Sequence, residues 1–325
     1  MPEVVALLSG VQERLTERLG PLKAWLFPRQ VYLQLEDEAI TAMALEGRRI
    51  VWLERVPLPV GLCDNGEPIR PDSLGDLLGD LFVERGYAGA RVAAVLSPAA
   101  SQMRLVRWPD GRWPDDPERM LALNEADLGL KVGLQYLDLH LVDLPGDPPT
   151  SLLVTVPSST LDRWIEVFSL AQVSLERMEA AKTCVCRGLQ ALQGAGSPDT
   201  PIVVLQLEPE RTSLLVIDHG IPCYERRLPG AGQPDQLQGE LIRWREFWAA
   251  LRPEDAHDLR LVLHGSALRD EAHAQQLAAA LGSAWELLDP LEQGWLQDVA
   301  PDHGIHPEGS ALAPLWGLAS AEVMA

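Results

Sequence analysis

The chain has no apolar run approaching the roughly 20 residues that span a bilayer, although hydrophobic residues make up 46% of its 325 positions. A soluble, globular protein of about two domains is expected. Basic residues are scarce: 27 Lys and Arg against 47 Asp and Glu leave a formal charge of −20. Affinity for nucleic acid comes largely from Lys and Arg displacing counterions from phosphates, so nucleic acid is not expected as a partner. A basic peptide suits this surface better, above all the Lys/Arg-rich cytoplasmic tail that membrane proteins carry. Net acidity that serves solubility alone is the simpler alternative. Cysteine is sparse, at positions 63, 184, 186 and 223. Cys184 and Cys186 fall in a helical pattern, where side chains two apart diverge, so buried reduced thiols are expected and not a metal pair. His303 and His306 have no Cys or acidic companion at a familiar ligand spacing. The opening "MPEVVALLSGVQERLTERLG" lacks the basic n-region and small-residue cleavage site of a secretion signal, and the cytosol is the expected compartment. No nucleophile–base pair, metal cluster or intact glycine-rich loop stands out.

What the chain does contain is a repeat. "VYLQLEDEAITAMALEGRRIVWLERVPLP" from Val31 overlays "VVLQLEPERTSLLVIDHGIPCYERRLPGA" from Val203 without a gap, at a constant offset of 172. Val31/Val203, Leu33/Leu205, Gln34/Gln206, Leu35/Leu207, Glu36/Glu208, Glu38/Glu210, Arg55/Arg227 and Pro57/Pro229 are identical. Apolar runs parted by polar turns predict three antiparallel strands in each copy: "IVVLQL", "TSLLVID" and "IPCYERRL" in the second. Two such meanders, each followed by helices, predict an α/β fold of two similar lobes with a cleft between them.

The helices are expected in "PSSTLDRWIEVFSLAQVSLERMEAAKTCVCRGLQAL" after the first copy and in "QPDQLQGELIRWREFWAAL" and "RDEAHAQQLAAALG" after the second. Ser158, Ser159 and Thr160 offer hydroxyls to cap free N–H groups, and Gly86, Gly194 and Gly282 sit where helices should stop. Trp244 and Trp248, at helical spacing, are expected in a core. Before the first copy, Val4, Leu8, Val11, Leu15, Leu19 and Leu22 recur at three- and four-residue steps, which predicts an amphipathic helix over residues 1–27. Its polar face mixes both charges, which favours docking on its own lobe over a lipid surface.

Two lobes that each open on this meander resemble the actin-like (ribonuclease H-like) ATPase fold. More narrowly, the segment order over about residues 28 to 320 resembles the PilM family of type IV pilus assembly proteins. Relatives of that family are the division protein FtsA and the cytoplasmic GspL domain of type II secretion. "RVPLPVGLCDNGEPIRPDSLGDLLGDLFVERG", "RVAAVLSPAASQMRLVRWP", "NEADLGLKVGLQYLDLHLVD" and "LVLHGSALRDEAHAQQLAAALGSAWELLDPL" are similar to successive segments of that family. The resemblance implies a first lobe over 28–195 with an extra subdomain inserted at about 58–150. It implies a second lobe over 196–325 whose last helix returns to the first.

Family members that bind ATP carry Asp-x-Gly in both meander turns and a lysine on the second strand. Here Gln34 and Gln206 stand for the aspartates, Glu36 and Glu208 for the glycines, and Thr41 for the lysine. A carboxylate about 4 Å from a phosphate repels it by roughly 1 kcal/mol in water and by several at a partly buried site. Most nucleotide affinity and nearly all hydrolysis should therefore be lost. Of the second lobe's glycine turn Gly265 and Ser266 remain, read as a vestigial adenosine pocket or, more simply, as a tight strand-to-helix turn. No cofactor is expected beyond such a vestigial ATP site.

The resemblance also implies a partner: in PilM-like proteins a groove between the extra subdomain and the core lobe receives the N-terminal tail of the bitopic protein PilN. Arg104 and Arg107, placed on one strand face with Met103, Leu105 and Trp108 nearby, line that groove or are solvated beside a core Trp. A non-catalytic cytoplasmic scaffold of the pilus assembly platform is expected, peripheral at the inner membrane through its partners. The alternatives are an active ATPase or kinase of the same superfamily and a GspL-like scaffold of type II secretion.

Overall fold

The computed structural model describes residues 29–108, 112–142, 148–193, 200–252, 259–268, 270–297 and 308–323. The helix expected over 1–27, Gly194, His303 and His306 lie outside them.

The repeat is structural. The strands β1 (Gln30–Leu35), β2 (Ala39–Glu46) and β3 (Arg49–Pro57) form one antiparallel meander, and β11 (Ile202–Leu207), β12 (Arg211–Asp218) and β13 (Ile221–Pro229) form the other, every boundary displaced by 172. The registers match as well: Gln34 pairs with Thr41 and Gln206 with Ser213. Even the bulges correspond, between Ala44 and Leu45 and between Val216 and Ile217.

Each meander is extended by parallel strands. The first sheet adds β6 (Arg91–Leu96) and β10 (Ser174–Ala180), in the order β10-β6-β1-β2-β3. The second adds β14 (Arg260–His264) and β15 (Trp285–Leu287), in the order β13-β12-β11-β14-β15. Read from the parallel edge, the two orders are the same.

Both sheets are covered on both faces, which explains why their central strands are nearly continuously apolar. Strand alternation sends Val31, Leu33 and Leu35 into one core and Tyr32 into another. The outer layer of the first sheet is α1 (Pro71–Glu84) with α4 (Ser158–Leu170), and that of the second is α6 (Pro234–Leu251) with α7 (Glu271–Leu281). Trp244 and Trp248 of α6 are buried with ring centroids 5.6 Å apart, as their spacing predicts.

Between the sheets lie α5 (Ala181–Gln193) and α8 (Ala313–Val323). Ala181, Cys184, Leu315 and Trp316 join the first sheet's core, while Val185, Leu189 and Ala313 join the second's. A Cβ at Gly317 would stand 1.8 Å from the carbonyl oxygen of Cys184, so only glycine allows α5 and α8 to approach this closely.

A smaller sheet, β7-β9-β8, is inserted in the first lobe from β7 (Gln102–Arg107), β8 (Gln135–Val142) and β9 (Thr150–Pro157). With α2 (Pro117–Leu123) and α3 (Glu125–Leu128) it has its own small core of Val106, Trp108, Leu121 and Leu153. The span of about 58–150 expected for this insertion is therefore too wide at its start. There α1 covers the main sheet and β6 pairs with β1 inside it.

Two further differences concern the segment after β9. The expected long helical stretch is broken by β10, because Gln172 turns the chain with φ of 55° and brings Ser174–Ala180 alongside β6. The hydroxyls of Ser158 and Ser159 make no cap on α4, and Thr160 Oγ1 donates to Glu67 instead. Gly86 and Gly282 do follow helices in the left-handed conformation, at φ of 73° and 70°. Among the described residues no helix is long and apolar enough to cross a membrane.

Candidate functional site

The two meander turns face each other where the lobes meet, around a cavity of about 110 Å³. Glu36, Asp37 and Arg55 line it from the first lobe, Gln206, Glu208, Arg211 and Arg227 from the second, and Pro98 and Ala99 close one side. Pockets that enclose an organic ligand are several times larger, roughly 300–1,000 Å³.

Glu36 sits in a polar cage. Gln34 Nε2 donates to its Oε1 at 2.7 Å and Arg55 Nη2 to its Oε2 at 3.2 Å. Burial raises its pKa above the ordinary 4.5, against the opposing pull of Arg55 and Gln34. Glu208 is the same residue of the second copy in a different setting. Ser266 Oγ and the Gln206 side chain donate to it, but its equivalent arginine does not. Arg227 Nη2 instead crosses to the first lobe and donates to Ala99 O at 2.8 Å. Burial, and then the charge of Glu36, push the Glu208 carboxyl up to about 7.

Other bonds bridge the lobes around this pair. Arg211 Nη2 donates to Asp37 Oδ2 at 2.8 Å and its Nη1 to Asn65 Oδ1 at 2.9 Å. Asp37 is fixed in turn by the Gly66 N–H, 2.6 Å from Oδ1. Asn65 and Gly66 have φ of 54° and 77°, the Asn-Gly turn of a tight hairpin between β4 (Cys63–Asp64) and β5 (Glu67–Pro68). Lys182, buried on α5, donates to Ser101 O at 3.1 Å and to Glu225 of β13. Burial lowers its pKa, and Glu225 opposes that shift.

The first backbone donor of each turn is already committed. Glu36 N–H donates to Ala39 O at 3.0 Å and Glu208 N–H to Arg211 O at 3.1 Å, while Pro209 has no N–H to give. A triphosphate needs free backbone donors and a metal held by carboxylates. These turns offer carboxylates where the phosphates would sit and have the first N–H of each turn engaged, so the residues present do not fit a metal-bound triphosphate. Among the described residues no group of three His, Cys, Asp or Glu could hold a metal ion.

The remaining candidates divide. Gln34 is buried beside Glu36, whereas Thr41 is buried in β2 and does not line the cavity. Ser266 is tied to Glu208, and Gly265 packs where a Cβ would stand 2.3 Å from Leu207 O, a steric requirement for the turn itself. Arg104 and Arg107 lie in β7 of the small sheet and Trp108 directly follows it, all outside the cavity lining. Arg104 and Arg107 do not share a face, since residues three apart on a strand point to opposite sides. Trp108 is 3% exposed with its Nε1 donating to Ser151 Oγ at 2.5 Å, so it is core and not groove lining.

Arg211, Asp37, Asn65 and Lys182 drew no notice in the sequence, because nothing local marks a bond between residues 174 apart. Arg55 and Arg227 carried a signal, their identity within the repeat. All four cysteines are free, and burial pushes the thiols of Cys63, Cys186 and Cys223 up to about 12, in keeping with inert structural sulfur.

No family model matches the sequence, and no curated protein matches it. Among solved structures, a chain of the PilM-PilN type IV pilus biogenesis complex superposes with a TM-score of 0.74 at 18% identity, over 91% of this chain and 98% of that one. A Bacteroides thetaiotaomicron protein with actin-like ATPase fold and unknown function superposes at 0.50 with 10% identity, over 80% and 90%. Twin sheets of one strand order, related by a 172-residue repeat and sharing these likenesses, give this chain the α/β actin-like fold.

Proposed function

We propose that the chain is a non-catalytic scaffold at the cytoplasmic face of the inner membrane. It would hold the tail of a PilN-like bitopic membrane protein and join it to other components of a type IV pilus assembly platform. The observation that carries this reading is the pair of turn-tip carboxylates, Glu36 and Glu208, where phosphates would have to sit. The similarity to a chain of the PilM-PilN complex supports the partner class.

The small sheet supplies a docking element. Among the described residues β8 pairs only with β9, so its outer edge has main-chain groups to offer an incoming strand. Tyr136 and Leu141 are exposed along it. The net charge of −20 favours a basic tail.

Two titrations test the proposal. Calorimetry with Mg-ATP is expected to give no heat of binding, and tight binding would contradict the non-catalytic part. A fluorescent peptide with the sequence of a PilN-like cytoplasmic tail is expected to bind the intact protein and to bind the Tyr136→Asp variant more weakly. Equal affinity for both would remove β8 from the interface.

A further inference from the structure

We infer that the protein holds its own cleft closed, with side chains of each lobe performing the bridging that a ligand bound between two lobes would otherwise perform. Three cationic side chains carry the inference. Arg211 of β12 reaches Asp37 and Asn65, which belong to the first meander turn and the β4–β5 hairpin. Arg227 of β13 reaches the carbonyl of Ala99. Lys182 of α5 binds the carbonyl of Ser101 and the carboxylate of Glu225 at once, so one ammonium ties the loop after β6 to β13.

The acceptors are prepared for this. Asp37 receives the Gly66 N–H on one oxygen and Arg211 on the other, so the carboxylate is oriented before the second lobe arrives. Lys182 is 6% exposed, and a buried ammonium without Glu225 would keep only a carbonyl partner, which makes separation of the lobes costly. The pseudo-symmetry shows what was redirected: Arg55 stays within its lobe on Glu36, while its counterpart Arg227 leaves Glu208 and crosses.

Glu36 and Glu208 work against the clasp. They face one another across the cavity with like charge when both are ionised. The bridges therefore have to exceed a built-in repulsion, and the closed state is held by opposed forces and not by apolar contact alone. The lobes remain joined at the base of the cleft through α5 and α8, so loosening the clasp opens the mouth without separating the halves.

The test uses the intact chain carrying Arg211→Ala with Glu225→Gln, compared with the unmodified protein. Small-angle scattering reads the radius of gyration, and hydrogen exchange reads the amides of residues 33–40, 97–101 and 206–213. The expected result is a larger radius and at least roughly fivefold faster exchange on both walls, the size expected when the part-exposed Arg211–Asp37 pair alone is lost. Arg211→Lys in place of Arg211→Ala should recover part of the protection.

An unchanged radius and unchanged exchange in a variant that still melts cooperatively would overturn the inference. Should the double variant fail to fold, the unmodified protein decides. Molar NaCl screens the part-exposed Arg211–Asp37 pair and should speed exchange on both walls, whereas protection indifferent to salt would overturn the clasp.

Discussion

At Glu208 charge and fold are at odds. Its carboxyl titrates at about 7 in the folded chain, against an ordinary 4.5, because burial and Glu36 disfavour the ionised form. The folded protein therefore keeps a proton that the unfolded chain has already released. Stability is fully retained below about pH 4.5, falls as pH rises toward 7, and stays reduced above it. Glu208→Gln removes the charge and keeps a group that can accept from Ser266. It should raise the melting temperature by a few degrees at pH 8, on the order of 2 kcal/mol, and change it little at pH 4.5. Melting curves at the two pH values check this, and a gain of equal size at both would refute the assignment. The sequence alone disclosed Glu36 and Glu208, because the repeat placed them in matched turns. It could not disclose Arg211 or Lys182, whose meaning depends on residues brought near only by folding.

Among the elements, α5 and α8 form the tightest joint. Gly317→Ala would force a methyl group to within 1.8 Å of the Cys184 carbonyl, where no side-chain rotation relieves the clash because the obstacle is backbone. Overpacking of this kind costs roughly 1–3 kcal/mol or more, and denaturant unfolding should show a lower midpoint with an unaltered slope. The meanders and most helices were legible because their periodicity is strong. β10 was not. "SLERMEA" lies between two helical runs, and the residue that turns the chain into it is Gln172 in a left-handed conformation usually given to glycine. The start of the small subdomain was obscured for a related reason. A strand buried on both faces, such as β6, reads the same in an insertion as in a central sheet.

For the whole molecule, the decisive feature is that the two cores share walls. Leu315 and Trp316 serve the first core while Ala313 serves the second, and α5 divides its residues in the same way. Calorimetry should therefore show one unfolding transition for both lobes and not two; a resolved pair of transitions would mean that the shared helices do not couple them. The layout also bears on biosynthesis. The strand β1 leaves the ribosome long before Leu312 to Ala319, the residues that cover its second face, have been translated. Until they emerge, the first sheet presents an open apolar wall, so the nascent chain should depend on chaperone shelter and reach its native form only after the final helix has been made.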